Sequence, residues 1–208
     1  MSDHPHENEE ILFEGVDINS AKSAMILIHG RGATPESILT LTKEFKADNY
    51  IYAAPQANGN TWYPYSFLSP IETNEPGLSS GLKVIDKLFN KLNDAGIPNK
   101  EIILLGFSQG ACLTLEYSAR NAKYYKGVIG LSGGLIGEFI DEKRYSGSFE
   151  NCPVFLGCSN IDPHVPEERV NQTAEVMEEL GASVTKRIYK GMGHTINEDE
   201  INFIHNLL

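Results

Sequence analysis

The chain has 208 residues, of which 41% are hydrophobic and 22% are charged. This length and composition are typical of one globular domain with a full core, and they exclude the collagen-like, disordered and disulfide-rich classes. With 17 lysine and arginine residues against 28 aspartate and glutamate residues, the net charge of −11 disfavours nucleic acid or an anionic membrane as the main partner.

The chain begins with an acidic, polar stretch. Residues 1–9 are expected to form a flexible tail with His4 and His6 in solvent, and residues 10–208 are expected to form a single domain. The stretch has no apolar run behind a basic region, and no run in the chain approaches the roughly 20 apolar residues that span a bilayer. The three cysteines form no Cys-x-x-Cys pair. A cytoplasmic protein with reduced thiols is the simplest interpretation.

Hydrophobic periodicity predicts short strands that alternate with helices. Strands are predicted over 11–18, 24–28, 50–54, 101–106, 128–131, 154–156 and 184–188. Helices are predicted over 34–45, 78–95, 167–180 and 197–208, and another follows the fourth strand to about residue 121. This alternation is typical of an α/β fold with a mostly parallel sheet, here of about seven strands, and helices on both faces. The long irregular stretches 55–76 and 133–152 are interpreted as excursions from the one domain.

Local signals indicate where several helices begin and end. Thr34 and Pro35 are typical of an N-cap followed by the first helical position. Gly96 is typical of the residue that ends a helix. Asn197 and Glu200 have the spacing of a capping box, so the last helix is expected to begin there.

A serine lies between two glycines at the point where the fourth predicted strand turns into a helix. Residues 106–110 read Gly-Phe-Ser-Gln-Gly and lie between two apolar runs. This is the layout of a nucleophile elbow, in which a strained turn holds the hydroxyl of Ser108 above the sheet. A side chain at either glycine would collide with a neighbouring strand or with the helix. Because such a string arises by chance in about one chain of this length in fifteen, its context decides its meaning.

A serine nucleophile needs a base that removes its proton and an acid that orients the base. After Ser108, the chain order that an elbow requires is acid and then histidine. His194 lies in a glycine-containing loop between the last predicted strand and the last helix. Asp162 follows the sixth predicted strand, whereas Asp141 has no strand before it and Asp199 comes after the histidine. Asp162 is therefore the preferred acid.

The oxyanion of a tetrahedral intermediate needs hydrogen-bond donors. The first predicted donor is the backbone amide of Gln109, at a helix N-terminus whose dipole favours negative charge. The second is the amide of Arg31, in the turn 29–32 after the second strand, where glycines allow the backbone to aim an amide inward. The Arg31 side chain is expected to pair with a structural carboxylate, with attraction of an anionic substrate group as the alternative.

Three further residues are expected to contribute to substrate binding, namely Trp62, His29 and Gly30. Trp62 belongs to an aromatic cluster in the 55–76 excursion, which either forms a wall of the site or only packs this loop onto the domain. His29 is expected to shape the oxyanion turn through a side-chain hydrogen bond. Cys112, one helical turn after the nucleophile, is interpreted as a packed core thiol. No metal ligand is predicted and no cofactor is expected.

Six motifs occur in the order found in one known family. They are Leu27-Ile28-His29-Gly30-Arg31-Gly32, Ala54-Pro55 with Trp62 beyond, Leu105 to Ala111, Leu131-Ser132-Gly133, Asp162 to Pro166, and Gly193-His194. On these motifs the chain resembles the phospholipase/carboxylesterase family of α/β-hydrolases, which includes acyl-protein thioesterases and bacterial carboxylesterases. The resemblance runs from about residue 24 to the C-terminus.

The resemblance implies an α/β-hydrolase fold and the hydrolysis of esters or thioesters by a serine, without a metal. It implies Ser108, Asp162 and His194 as the triad, and Arg31 and Gln109 as the oxyanion donors. Eukaryotic thioesterases of the family carry leucine at the position of Arg31, so this residue looks more like that of a bacterial carboxylesterase branch.

The function expected from the sequence is that of a serine carboxylesterase for small carboxylic esters, with thioesters as a further substrate class. A lysophospholipase or an acyl-protein thioesterase is the alternative with the same fold. A non-catalytic binding protein on a hydrolase fold is the alternative of a different class. The expected partner is a small-molecule ester, with no nucleic acid and no integral membrane association, and a homodimer is left open.

Overall fold

A mostly parallel β-sheet forms the centre of the computed structural model, which describes residues 3–45 and 47–208. Within these residues the sheet has seven strands: β1 (Ile11–Gly15), β2 (Ser23–Ile28), β3 (Tyr50–Pro55), β4 (Ile102–Phe107), β5 (Gly127–Leu131), β6 (Pro153–Ser159) and β7 (Ser183–Tyr189). Their order across the sheet is β1-β3-β2-β4-β5-β6-β7. Strand β1 pairs with β3 in antiparallel fashion, and the other neighbouring pairs are parallel. The predicted mostly parallel sheet is confirmed.

Helices cover both faces of this sheet. They are α1 (Pro35–Leu39), α2 (Gly77–Asp94), α3 (Gln109–Arg120), α4 (Glu167–Glu179) and α5 (Glu198–His205). Helices α2, α3 and α4 contribute to one apolar core layer, whereas α1 and α5 contribute to the other. Successive residues of a strand point to opposite faces, so Ile26 of β2 joins the first layer and Leu27 joins the second. The predicted α/β arrangement with helices on both faces is confirmed.

The first helix is shorter than predicted. It begins with the predicted Thr34 cap and Pro35, but it ends at Leu39 and continues as a 3₁₀ helix over 40–44. The hydroxyls of Thr40 and Thr42 each donate a 2.7 Å hydrogen bond to the carbonyl three residues earlier. Such bonds compete with the α-helical pattern and favour the tighter 3₁₀ geometry.

The N-terminal segment packs against the domain in the part of it that the structure describes. His6 is only 3% exposed, so the prediction that this side chain lies in solvent is wrong. Just before β1, the carbonyl of Glu10 accepts a 2.8 Å hydrogen bond from the amide of Gln56. Residues 1 and 2 of the predicted tail lie outside the described residues. The contacts that bury His6 come from residues far away in the chain, and for that reason the local composition did not indicate them.

The parallel strands bring the candidate site residues to one edge of the sheet. The loops after β2, β4, β6 and β7 carry the oxyanion turn, the serine, the acid and the histidine, and carboxyl ends of parallel strands share one edge. The two excursions from the sheet are tied to each other by a 2.7 Å hydrogen bond from the Gly137 amide to the Phe67 carbonyl. No helix within the described residues is long and apolar enough to cross a lipid bilayer.

Candidate active site

Ser108 occupies a strained turn between β4 and α3. Its backbone has φ 57° and ψ −121°, a conformation that residues with a side chain seldom adopt. A Cβ atom at Gly106 would overlap the carbonyl of Gly110, and one at Gly110 would overlap the carbonyl of Ile28. The turn is held by a 2.9 Å hydrogen bond from the Ser108 amide to the Leu131 carbonyl. Both flanking glycines are therefore required by the close approach of β2, β4 and α3.

Three of the predicted residues form one hydrogen-bonded array. The Nε2 atom of His194 lies 2.8 Å from Oγ of Ser108, and its Nδ1 atom lies 2.7 Å from Oδ2 of Asp162. In the sequence, His194 is 86 positions from Ser108 and 32 positions from Asp162. Because an ionised carboxylate only accepts hydrogen bonds, Nδ1 carries the proton and Nε2 is left to accept the serine hydroxyl. The array can thus take a proton from the serine without rearrangement.

The carboxylate of Asp162 is buried and fully engaged. Its second oxygen, Oδ1, accepts hydrogen bonds from the amides of His164 at 2.8 Å and Val165 at 3.1 Å. Burial acts to raise the pKa of Asp162, but the hydrogen bonds from His194 and from these two amides outweigh it, so the net pKa is lowered. Asp162 therefore stays ionised at neutral pH and can stabilise a protonated His194.

The loop that carries His194 is hydrogen-bonded to the segment at the end of β6. Gly191 and Gly193 have φ values of 70° and 78°, which favour glycine. Their amides donate to Oδ1 of Asn160 at 2.9 Å and to Oγ of Ser159 at 3.2 Å. These bonds join the loop of the histidine to the loop of the acid. The geometry of the pair is thus set by backbone groups as well as by the two side chains.

The His194 ring also has aromatic neighbours on two sides. Its centroid lies 5.1 Å from that of Phe107 and 4.9 Å from that of His164. His164 is itself exposed. Contact with these rings limits the orientations of the imidazole between Ser108 and Asp162.

The turn after β2 lies against the elbow. A Cβ atom at Gly30 would lie 3.3 Å from Cβ of Ser108, so only glycine allows this approach without displacement. The amide of Arg31 has no acceptor among the described residues, and the amide of Gln109 lies in the first turn of α3, where amides lack an intrahelical partner. The two predicted oxyanion donors thus lie on the segments that flank Ser108.

The Arg31 side chain binds backbone carbonyls rather than a carboxylate. Its guanidinium donates to the carbonyls of Tyr63, Pro64 and Tyr65 at 2.8, 2.9 and 2.7 Å. The prediction that it pairs with a structural carboxylate is therefore wrong. A guanidinium has five N–H donors in one plane, which suits a row of consecutive loop carbonyls. Arg31 thus joins the oxyanion turn to the 63–65 segment of the first excursion.

Trp62 and His29 support the site from behind and are fully buried. The Trp62 indole donates a 2.9 Å hydrogen bond to the His29 carbonyl, and its amide donates a 2.9 Å bond to Oε1 of Gln109. Neither side chain is among those that line the cavity in front of Ser108, so a direct contact of Trp62 or His29 with substrate stays a prediction. The His29 side chain instead donates from Nδ1 to the Gly30 carbonyl at 2.8 Å. This hydrogen bond lies within the oxyanion turn, as expected from the sequence for the His29 side chain.

A cavity of about 480 Å³ opens in front of Ser108, Gln109 and His194. Its remaining lining residues are Arg31, Tyr63, Pro64, Tyr65, Ser66, Phe67, Cys112, His164 and Val165. Gly30 is a buried residue of the oxyanion turn and does not line this cavity, so its predicted contact with substrate stays a prediction. The sequence did hold a signal for this wall, because Tyr63, Tyr65 and Phe67 lie close together in the first excursion.

The thiol of Cys112 behaves as predicted for a core residue. It is buried and free of any disulfide, and burial raises its pKa to about 12. A thiol with so high a pKa is a poor nucleophile at neutral pH. In the part of the chain that the structure describes, no group of three or more His, Cys, Asp or Glu residues is arranged to hold a metal ion.

The chain is similar to known proteins over nearly its whole length. The family model described as Phospholipase/Carboxylesterase matches residues 16–208. The crystal structure of a phospholipase/carboxylesterase from Dyadobacter fermentans is 43% identical and has a TM-score of 0.94, covering 96% of this chain and 95% of that one.

Fungal relatives named acyl-protein thioesterase 1 are also similar. The protein from Debaryomyces hansenii is 29% identical over 90% of this chain and 92% of its own length. The protein from Gibberella zeae is 32% identical over 62% of this chain and 58% of its own length. Since the family model spans nearly the entire chain, this protein belongs to the phospholipase/carboxylesterase family of α/β-hydrolases.

Proposed function

We propose that this protein is a serine esterase that hydrolyses small carboxylic esters through an acyl-enzyme on Ser108. The observation that carries the proposal is the array of Asp162, His194 and Ser108, joined by hydrogen bonds of 2.7 and 2.8 Å. Membership of the phospholipase/carboxylesterase family supports ester or thioester hydrolysis. The strained backbone of Ser108 also supports the proposal, because such strain is common where a side chain must be held for reaction.

In the first half-reaction, Oγ of Ser108 attacks the acyl carbon while Nε2 of His194 takes the serine proton. Asp162 stabilises the imidazolium that forms, since its carboxylate remains ionised. The carbonyl oxygen of the substrate becomes an oxyanion and accepts hydrogen bonds from the amides of Arg31 and Gln109. When the intermediate collapses, the bond to the leaving group breaks and His194 gives the proton to the departing alcohol or thiol.

In the second half-reaction, water replaces the leaving group. His194 takes a proton from the water while the water oxygen attacks the acyl carbon of the acyl-enzyme. The second tetrahedral intermediate uses the same two amides, and its collapse breaks the ester bond to Ser108. The proton returns from His194 to Oγ, which releases a carboxylic acid and restores the array.

The cavity supports a small substrate. Its volume of about 480 Å³ lies in the lower half of the range of ligand sites, which commonly have about 300 to 1,000 Å³. The aromatic rings of Tyr63 and Phe67 and the side chain of Val165 supply apolar surface near the nucleophile. A short acyl group fits this combination of limited volume and apolar wall.

The main alternative is an acyl-protein thioesterase, which the names of the fungal relatives favour, with a lysophospholipase as the other candidate of the same fold. A series of esters from acetyl to palmitoyl, with matched thioesters and a lysophospholipid, separates the candidates. We expect kcat/KM to be highest for short oxygen esters. A maximum at palmitoyl thioesters would instead favour an acyl-protein thioesterase, and preference for the lysophospholipid would favour a lysophospholipase.

The catalytic role of Ser108 is tested by Ser108→Ala with p-nitrophenyl acetate as substrate. We expect kcat to fall by about 10⁴ to 10⁶ without loss of the fold, since the remaining site can only bind and polarise the ester. Thermal unfolding of the variant checks that it is folded. Wild-type turnover by folded Ser108→Ala would refute the proposal, and an inert wild-type protein that binds esters would indicate a non-catalytic binding protein.

A further inference from the structure

The segment before the family domain contacts the loop behind the active site. The matched family region begins at residue 16, whereas the described residues 3–10 lie before it. The amide of His6 donates a 3.0 Å hydrogen bond to Oγ of Ser80 in α2. Oε1 of Glu9 accepts a 2.7 Å bond from the Asn58 side chain. The segment therefore bridges α2 and the start of the first excursion.

The imidazole of His6 is the buried part of this bridge. Its Nδ1 atom accepts a 3.0 Å hydrogen bond from the amide of Asn58, so its proton lies on Nε2. Nε2 donates a 2.9 Å hydrogen bond to the carbonyl of Trp62. The ring also packs edge-on against the Trp62 indole, with centroids 5.3 Å apart. Burial lowers the pKa of His6, which agrees with a neutral ring that both donates and accepts.

From Trp62 the contacts continue to the oxyanion turn. The Trp62 indole donates to the His29 carbonyl at 2.9 Å and lies 5.1 Å from the His29 ring. His29 in turn accepts a 3.2 Å bond from the Ala57 amide and donates to the Gly30 carbonyl. Since these groups are buried, displacing one of them leaves a polar group unpaired or forces its neighbours to move.

We propose that His6 is a positioning residue for the oxyanion turn, acting through Trp62 and His29 on the amide of Arg31. This inference rests on the proposed esterase function. His6 does not line the cavity in front of Ser108, so its effect must pass through these intervening residues. His6 fixes the backbone of residues 58–62 through the amide of Asn58 and the carbonyl of Trp62. The Gln109 side chain fixes the same segment through the Trp62 amide.

The test compares two variants that separate the hydrogen bonds of His6 from its bulk. His6→Phe keeps a ring against Trp62 but loses the donor and the acceptor, and His6→Gln keeps one donor and one acceptor without the ring. We expect His6→Phe to lower kcat for p-nitrophenyl acetate about tenfold with KM within about twofold, because misplaced oxyanion donors weaken transition-state stabilisation. His6→Gln should retain at least a third of the wild-type kcat.

Two further measurements distinguish positioning from loss of stability. Trp62 is the sole tryptophan of the chain, so its fluorescence emission reports on the bridge directly and should shift in His6→Phe. Glu7→Gln is the matched control, because Glu7 lies in the same N-terminal segment and forms an ion pair with Lys87 of α2 instead of the hydrogen bonds to residues 58–62 that His6 makes. This control should keep the wild-type kcat and emission, even if its melting temperature falls.

Wild-type kcat in folded His6→Phe would overturn the inference. His6→Ala, in which water can replace the imidazole, gives the same readout if His6→Phe does not fold. A fall in kcat that is equal in Glu7→Gln would also overturn it, because the effect would then follow general loosening of the segment. Failure of the proposed function is recognised separately, as ester turnover that survives Ser108→Ala.

Discussion

Asp162 has two distinct tasks at the level of single atoms. Oδ2 accepts the hydrogen bond from Nδ1 of His194, and Oδ1 accepts the amides of His164 and Val165. The first bond fixes which ring nitrogen of His194 carries the proton. The two amide bonds fix the orientation of the carboxylate and help to keep its pKa low. Replacing only Oδ2, the oxygen that faces His194, should therefore affect catalysis far more than folding.

Asp162→Asn tests this division. An asparagine amide that donates to Nδ1 would leave the His194 proton on Nε2. A protonated Nε2 cannot accept the proton of Ser108, so we expect kcat to fall by about 10⁴. KM and the melting temperature should change little. Asp141→Asn is the control, because Asp141 lies in the second excursion and only caps a short 3₁₀ turn, and its kcat should equal that of the wild type. A decrease of kcat in Asp141→Asn, with little change in Asp162→Asn, would show that Asp162 is not the acid that orients His194.

Residues next to strand ends were predictable from the sequence, and those in the excursions were less so. Ser108, Asp162 and His194 each follow a strand directly or within a short loop, so their common edge follows from the parallel topology. Trp62 and Tyr63 are adjacent aromatic residues that the sequence alone does not distinguish. The first is buried behind the site, whereas the second lines the cavity. Their directions depend on partners such as His29 and Gln109, which are distant in the sequence.

At the level of the elements, the Arg31 side chain joins residues 63–65 of the first excursion to the oxyanion turn. Arg31 donates to the three consecutive carbonyls of residues 63–65, and all three of those residues form part of the cavity wall. The Arg31 amide belongs to the backbone and is retained in any substitution other than proline. The side chain and the amide of the same residue are therefore expected to have separable effects.

Arg31→Leu should raise KM about tenfold while kcat stays within about threefold. Loss of the three hydrogen bonds loosens the wall that contacts the substrate, whereas the oxyanion donor remains. Steady-state kinetics with p-nitrophenyl acetate and p-nitrophenyl butyrate measure both constants. Arg31→Lys is the companion variant, and it should resemble Arg31→Leu because an ammonium lacks the planar set of five donors. A large fall in kcat with unchanged KM would contradict this account.

The capping box of α5 contains a buried carboxyl group. Oε2 of Glu200 accepts a hydrogen bond from the Asn197 amide, and burial is the main cause that raises the pKa of Glu200 from 4.5 to about 7. Because the folded state holds this proton more tightly than the unfolded chain, the group's contribution to stability is fully present below about pH 4.5. The contribution is lost as the pH rises through about 7.

Glu200→Gln should remove this dependence, because the amide keeps the cap and does not ionise. Relative to the wild type, we expect the variant to gain on the order of 2 kcal/mol in stability at pH 8, and much less at pH 5. Thermal unfolding at both pH values measures the difference. Glu198→Gln changes an exposed charge in the same helical turn and should keep the wild-type pH dependence. An equal shift of the melting temperature at the two pH values would contradict the assignment.

Element types were more predictable than element lengths and the packing of the N-terminal segment. The last helix begins at its predicted capping box, because Asn197 and Glu200 pair with each other locally. The first helix ends early because of two threonine hydroxyl bonds, which compete with a helix that the periodicity alone favours. The burial of His6 depends on Trp62, 56 residues away, and local composition carries no information about such a partner.

The whole molecule brings distant parts of the chain to one sheet edge. Ser108 and His194 are 86 residues apart, and two strands lie between β4 and β7 in the sheet, yet the loops after both strands meet over the same edge. The excursions add the cavity wall on this side, and the N-terminal segment supports the wall from behind. Under the proposed function, the loops at this sheet edge carry the reacting groups, and we expect the excursions to set the size of the substrate. A homodimer stays a prediction.

Covalent labelling of the folded protein with a fluorophosphonate probe, followed by mass spectrometry of its peptides, tests directly whether Ser108 is an activated nucleophile. An activated serine displaces fluoride from phosphorus and forms a stable adduct, because the adduct resembles the tetrahedral intermediate. We predict a single adduct on Ser108, formed in the wild type and lost in both Ser108→Ala and the His194→Ala variant. Folded wild-type protein that remains unlabelled at Ser108, or that is labelled at another residue, would contradict the account.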